Sequence, residues 1–172
     1  IEYTENGGEK RHLTFEDTQF GPDFAPVARL LVERQCHPVI ICESAGTQAE
    51  DAAEMKRLYA TVLEAQQRAI QSAAVGEKCA AVDKRARDCI ELAGYRGCFG
   101  HSLGHSVGLE IHEAPNFAPR SADCFENGNV ITVEPGIYLE GQYGCRIEDM
   151  ICAQDGAVRN LTGAPKELIE LF

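Results

Sequence analysis

Apolar positions along this chain follow two periods, and the change from one to the other divides the sequence. From about Gln48 to Ala74, the residues Met55, Leu58, Tyr59, Val62, Leu63, Ala69, Ile70 and Ala73 keep to one stripe at a 3.6-residue repeat, which predicts a long helix. At 1.5 Å per residue it would span roughly 40 Å. Val75-Gly76 ends the pattern, and a second helix is predicted from Cys79 to Ala93, with Val82, Ala86, Cys89 and Ile90 inward and Gly94 as its stop. Upstream, Asp23 is a candidate N-cap for a helix over Phe24 to Gln35, and the unbroken run from Pro38 to Glu43 reads as a strand buried on both faces. Residues 1–10 are polar and glycine-rich, so a loop is expected there, followed by a short strand from Arg11 to Phe15. These segments make a βαβα unit, whose crossover is expected to be right-handed.

From Phe99 the texture becomes a glycine- and histidine-rich loop, and then the period drops to two. Strands are predicted at Asn129–Glu134, Ile137–Leu139, Arg146–Cys152 and Val158–Leu161, with turns at Asn127-Gly128, Pro135-Gly136 and Asp155-Gly156. The expected fold class is mixed α/β (α+β), with helices on one face of a curved, mostly antiparallel sheet. The chain reads as residues 1–58 and 59–172, expected to form one compact unit. Neither part closes its own sheet edges, which predicts a homodimer.

Charge narrows the partners. Sixteen basic against 27 acidic residues give a net of −11, a field that repels nucleic acid. No apolar run approaches the ~18 residues of a membrane span, so no membrane partner is expected. No secretory leader pattern opens the chain, and a start at Ile1 rather than Met suggests a fragment or processed product. The eight cysteines form no C-x-x-C pair, and Cys42 and Cys152 follow isoleucine in apolar runs. This usage predicts reduced, structural thiols and a cytoplasmic protein.

Candidate chemistry gathers late in the chain, at His101, His105, His112, Glu113, Glu134, Glu148 and Asp149. Glu134 shares a strand face with Thr132 and Val130, so its carboxylate projects where a sheet face would be buried. A buried carboxylate needs a partner, and a divalent cation is one. Imidazole with carboxylates suits Mn, Fe, Co or Zn better than Ca. Taken singly, each residue also has an ordinary reading, as a hydrogen-bonded loop histidine or a solvent-facing strand glutamate. Spacing alone leaves both readings open.

The ordered motifs Phe99-Gly-His-Ser-Leu-Gly-His105-Ser-Val-Gly-Leu-Glu-Ile-His112-Glu-Ala-Pro115, Ile131-Thr-Val-Glu134-Pro-Gly-Ile-Tyr138 and Gly144-Cys-Arg146-Ile-Glu148-Asp149 closely resemble the Xaa-Pro dipeptidase and methionine aminopeptidase ("pita-bread") metallopeptidases. The ending Ala164-Pro-Lys-Glu-Leu-Ile-Glu-Leu171 is similar too, so the resemblance covers about Tyr59 to Phe172. It implies peptide-bond hydrolysis by metal-activated water on a peptide substrate. By matching position, His105, Glu134 and Glu148 would be metal ligands, with Glu134 also shuttling protons. His112 would hydrogen-bond the substrate, His101 would line the pocket, and Arg146 would steady the ligand. An edge-strand surface arginine is the other reading of Arg146.

The family's two Asp ligands lie in a D-x-T-R-T-like stretch ahead of the long helix, and this sequence has none. The resemblance therefore implies one ion (Mn, Co, Zn or Fe) or none rather than two, and impaired or absent activity. Glu16, Asp17 and Asp23 are candidate replacements by residue type only. Instead, Gly8-Glu-Lys-Arg-His12-Leu-Thr-Phe-Glu-Asp17 and His37-Pro-Val-Ile-Ile-Cys-Glu43 resemble the last two βα units of an endonuclease IV-like TIM barrel. There Glu43 would be a metal ligand at a strand end, with His12 a weaker match. A chimera joined within Lys56–Val62 accounts for both resemblances. Three functional readings follow: a working metallo-aminopeptidase, a folded non-catalytic chimera or fragment, and an apurinic endonuclease, which the charge disfavours.

Overall fold

The computed structural model describes residues 2–3, 9–11, 48–140 and 143–168. The chain divides into two compact units, Ile1–Lys56 with Leu168–Phe172, and Arg57–Glu167. In the first, β1 (Glu2–Tyr3) pairs antiparallel with β2 (Glu9–Arg11). The polar stretch 1–10 thus holds strand residues where a loop was expected, because ladder hydrogen bonds do not require apolar side chains. The predicted helix at 24–35 and strand at 38–43, Glu43 included, lie outside the described residues.

Helix α1 runs over Gln48–Ser72 and α2 over Cys79–Leu92, both within two residues of the periodic pattern. In the second unit, the α1 stripe buries Leu58, Val62, Ala65 and Ala69, with Ala73 just past its end, while α2 buries Cys79, Val82, Ala86, Cys89 and Ile90. Buried polar residues also lie on both helices, Thr61 and Gln66 on α1 and Asp83 on α2.

Seven strands follow: β3 (Gly104–Ser106), β4 (Glu113–Phe117), β5 (Val130–Val133), β6 (Gly136–Leu139), β7 (Tyr143–Arg146), β8 (Asp149–Gln154) and β9 (Ala157–Asn160). Five form an antiparallel sheet in the order β4-β3-β5-β8-β9, and β6 and β7 form a separate two-stranded ribbon. Ile131 pairs with Ile151 in the sheet centre, and both are fully buried in one core with α1 and α2. Phe117 and Phe125 close that core edge-to-face, with ring centroids 5.4 Å apart.

Several expectations are corrected. The glycine- and histidine-rich stretch contains β3 and β4, since pairing with a neighbour holds even a Gly-His-Ser segment extended. The single strand predicted over Arg146–Cys152 is two, with β7 in the ribbon and β8 in the sheet, separated at Ile147-Glu148. Pro135-Gly136 is not a reversal. The chain leaves the sheet at Glu134-Pro135, and Gly136 already pairs with Arg146 in the ribbon. The hairpin at Asp155-Gly156 is as predicted: both residues take positive φ, 53° and 78°, the two-residue turn that matches strand twist.

The C-terminal segment is tied back to this unit. The Tyr59 hydroxyl donates to the Lys166 carbonyl at 3.0 Å, and Lys166 Nζ stands 2.8 Å from Oδ1 of the buried Asp149. Asn160 Nδ2 donates to the other Asp149 oxygen at 2.6 Å.

Candidate functional site

The breaks in the strands are where the chemistry stands. His105 lies on β3, Glu134 directly follows β5, Arg146 ends β7, and Glu148 sits in the break before β8. His112 immediately precedes β4, and His101 lies in the loop ahead of β3. Five of these side chains (His101, His105, His112, Glu134 and Arg146) line one cleft of about 450 Å³, together with Glu113 and Asn116. Glu148 is not in the cleft wall. Its carboxyl is nonetheless pushed above the ordinary value, first by partial burial and then by the Glu134 carboxylate, while Arg146 and His105 pull it down. Four candidate groups therefore feel one another electrostatically.

Glu134 is held at both carboxylate oxygens. Its Oε1 accepts from the Thr132 hydroxyl at 2.9 Å, and its Oε2 accepts from Arg146 Nη1 at 3.3 Å. His105 Nε2 stands 3.4 Å from the same Oε1. The other ring nitrogen, Nδ1, lies 3.1 Å from the Ser106 carbonyl, which can only accept, so Nδ1 carries a proton. In the neutral imidazole this turns the Nε2 lone pair toward the Glu134 oxygen, and two acceptors then face each other. A proton or a metal cation resolves such a contact.

A second chain of contacts runs along the cleft. His101 Nδ1 donates to the Ser102 carbonyl at 2.8 Å, so its Nε2 is the acceptor for the Tyr138 hydroxyl at 3.0 Å. That hydroxyl in turn accepts from Arg146 Nε at 2.7 Å. Burial works against the Arg146 charge, but the Tyr138 hydrogen bond and the Glu134 and Glu148 carboxylates outweigh it and hold the guanidinium above its ordinary range. The His112 ring packs on His105, with centroids 4.2 Å apart. Residue types alone missed Tyr138 and Thr132. Their only signal was position: Thr132 two residues before Glu134 on one strand face, and Tyr138 within the ribbon strand.

Among the described residues, no three His, Cys, Asp or Glu side chains stand close enough to enclose an ion. The donor types still suit one, since an imidazole lone pair and a carboxylate already converge with a second carboxylate in electrostatic reach. The six described cysteines carry free thiols and lie outside this cleft.

Imidazole and carboxylate donors gathered where an antiparallel sheet breaks are the equipment of a metal-dependent hydrolase. The chain belongs to metallopeptidase family M24, whose model matches residues 40–155. The match opens ahead of Tyr59, so Glu43 and the start of α1 lie within it. Among curated relatives, the Xaa-Pro dipeptidase of Pyrococcus furiosus is 41% identical over 116 residues, covering 67% of this chain and 33% of that protein. The uncharacterized peptidase YqhT of Bacillus subtilis is 42% identical over 118 residues, covering 69% and 33%. The solved Xaa-Pro dipeptidase from Bacillus anthracis superposes with a TM-score of 0.67 at 42% identity, covering 77% of this chain and 36% of that one. The chain thus spans about a third of the length of the curated relatives it matches.

Proposed function

We propose that this chain carries one half of the working site of an Xaa-Pro dipeptidase-like metallopeptidase, acting on a proline-containing dipeptide, and that hydrolysis is weak or absent without further anionic ligands. His105, Glu134 and Glu148 would hold one divalent ion of the Mn, Co, Zn or Fe kind. When bound, it would supply Lewis acidity toward a peptide carbonyl and lower the pKa of water. The observation that carries the reading is the facing of His105 Nε2 and Glu134 Oε1 at 3.4 Å, with Arg146 on the far carboxylate oxygen.

The chain's own groups account for the rest. Thr132 and Arg146 fix both Glu134 oxygens, so the carboxylate is oriented before any substrate arrives. Arg146 is 46% exposed at its side chain, and its remaining N–H groups suit the carboxylate of a short peptide. His112, exposed beside His105, would donate to a developing oxyanion.

Calorimetric titration with Mn²⁺ or Co²⁺, on wild type and on His105→Ala combined with Glu134→Ala, tests this reading. Binding that is lost in the double variant is the expected result, followed by slow turnover of an Xaa-Pro dipeptide. Wild type that takes up neither ion would reduce the motifs to scaffold.

A further inference from the structure

We propose that Asp83 and Arg87, one turn apart on α2, are a positioning pair that sets the cleft loop and, through one shared residue, Leu103, the backbone at Glu134. The proposal deepens the peptidase reading and rests on it only for the cleft's function. The pair is two-pronged: Arg87 Nε and Nη2 donate to the two Asp83 oxygens, each at 2.9 Å. The Asp83 side chain is 1% exposed and that of Arg87 22%. An i,i+4 pair on a helix surface would end there. This one continues into the site.

Arg87 Nη1 donates to the Phe99 carbonyl at 2.8 Å, and Nη2 also donates to the His101 carbonyl at 2.9 Å. The guanidinium lies over the Phe99 ring at 4.3 Å, and that ring meets the His101 imidazole edge-on at 4.9 Å. Asp83 Oδ1 accepts from the Leu103 N–H at 3.0 Å. The carbonyl of the same Leu103 accepts from the Glu134 N–H at 2.8 Å. One residue thus hangs between the helix carboxylate and the backbone of the candidate ligand. On the other helix, Gln66 Nε2 donates to the Val133 carbonyl at 3.3 Å.

A lysine at 87 would keep the charge but cannot span two carboxylate oxygens and two carbonyls at once. An asparagine at 83 would keep an acceptor for Leu103 but lose the charge-assisted fork. Merely structural residues, by contrast, would lower stability without moving the site.

The test uses the full chain, with Arg87→Lys, Asp83→Asn and the control Ile90→Val, a core change on the same helix that is expected to reduce the melting temperature comparably. In metal-free protein, the NMR resonances of the His101 imidazole and of the Leu103 and Glu134 amides are compared. Mn²⁺ affinity is then measured by calorimetry. We expect Arg87→Lys to shift all three resonances and weaken Mn²⁺ binding about tenfold, as loss of an outer-shell partner does, with Ile90→Val moving neither. Resonances that stay in place in Arg87→Lys, or that move equally in Ile90→Val, overturn the proposal. If Arg87→Lys does not fold, Asp83→Asn is judged by the same criteria. Wild type that binds no Mn²⁺ counts against the peptidase reading alone, because the resonances still decide the positioning role.

Discussion

Thr132 is a small residue with two duties, and both meet at its hydroxyl oxygen. It accepts from the His105 N–H at 3.0 Å and donates to Glu134 Oε1 at 2.9 Å, in a position 2% exposed. Thr132→Val keeps the shape and strand propensity but strands the partly buried His105 N–H. We expect a loss of roughly 2 kcal/mol in urea unfolding, the cost of unpaired buried groups. Buried polar residues of this kind are where sequence reading stops: Gln66 and Asp83 look like solvent-facing positions until the backbone groups they serve are known. Cys145 gives a pH test. Burial pushes its thiol up to about 11. Its folded-state value lies above the unfolded one, so the stability it contributes is complete below the ordinary thiol value and is lost as pH rises toward 11. Iodoacetamide labelling of native Cys145 should accelerate about a hundredfold from pH 8 to 10, following the thiolate fraction. Labelling in urea should instead level off near the ordinary thiol range. Equal profiles in both states would contradict the burial.

Elements with one strong local signal were legible: the stripes of α1 and α2, and the Asp155-Gly156 turn. Those made by pairing were not. β3 is a Gly-His-Ser segment and β4 contains Pro115, so neither has strand composition, and their extension comes from neighbours. The alternation of Cys145, Ile147 and Met150 with polar residues conceals the passage from ribbon to sheet, and Ile147 at the break is itself buried. Gly104 shows how close these neighbours lie: a β-carbon there would stand 1.8 Å from the Thr132 carbonyl oxygen. Gly104→Ala must push β3 away from β5, and we expect it to destabilise by about 3 kcal/mol, at the upper end of ordinary single substitutions. A urea midpoint unchanged from wild type would mean that β3 can shift freely.

At the scale of the molecule, homodimer formation is a proposal of sheet edges: β4 and β9 are the outer strands of the five-stranded sheet as described. Pro115 on β4 blocks one ladder position, so strand addition would favour β9. Light scattering at increasing concentration should give twice the 18.8 kDa chain mass, and a constant monomer mass would reject pairing. Among the described residues, no helix is long and apolar enough to cross a membrane. The nesting of the ribbon inside β5 and β8 bears on folding order. Glu134 and Glu148 stand at the two points where the chain passes between sheet and ribbon, and the Ile147 N–H reaches the Pro135 carbonyl at 3.4 Å. Both carboxylates therefore belong to one hairpin within a hairpin, closed by local contacts, whereas His105 and α2 arrive from earlier in the chain. Short loops close first. In pulse-labelled refolding, the Ile151 and Ile147 amides should be protected before that of His105. Simultaneous protection would mean that the acidic pair waits for its imidazole.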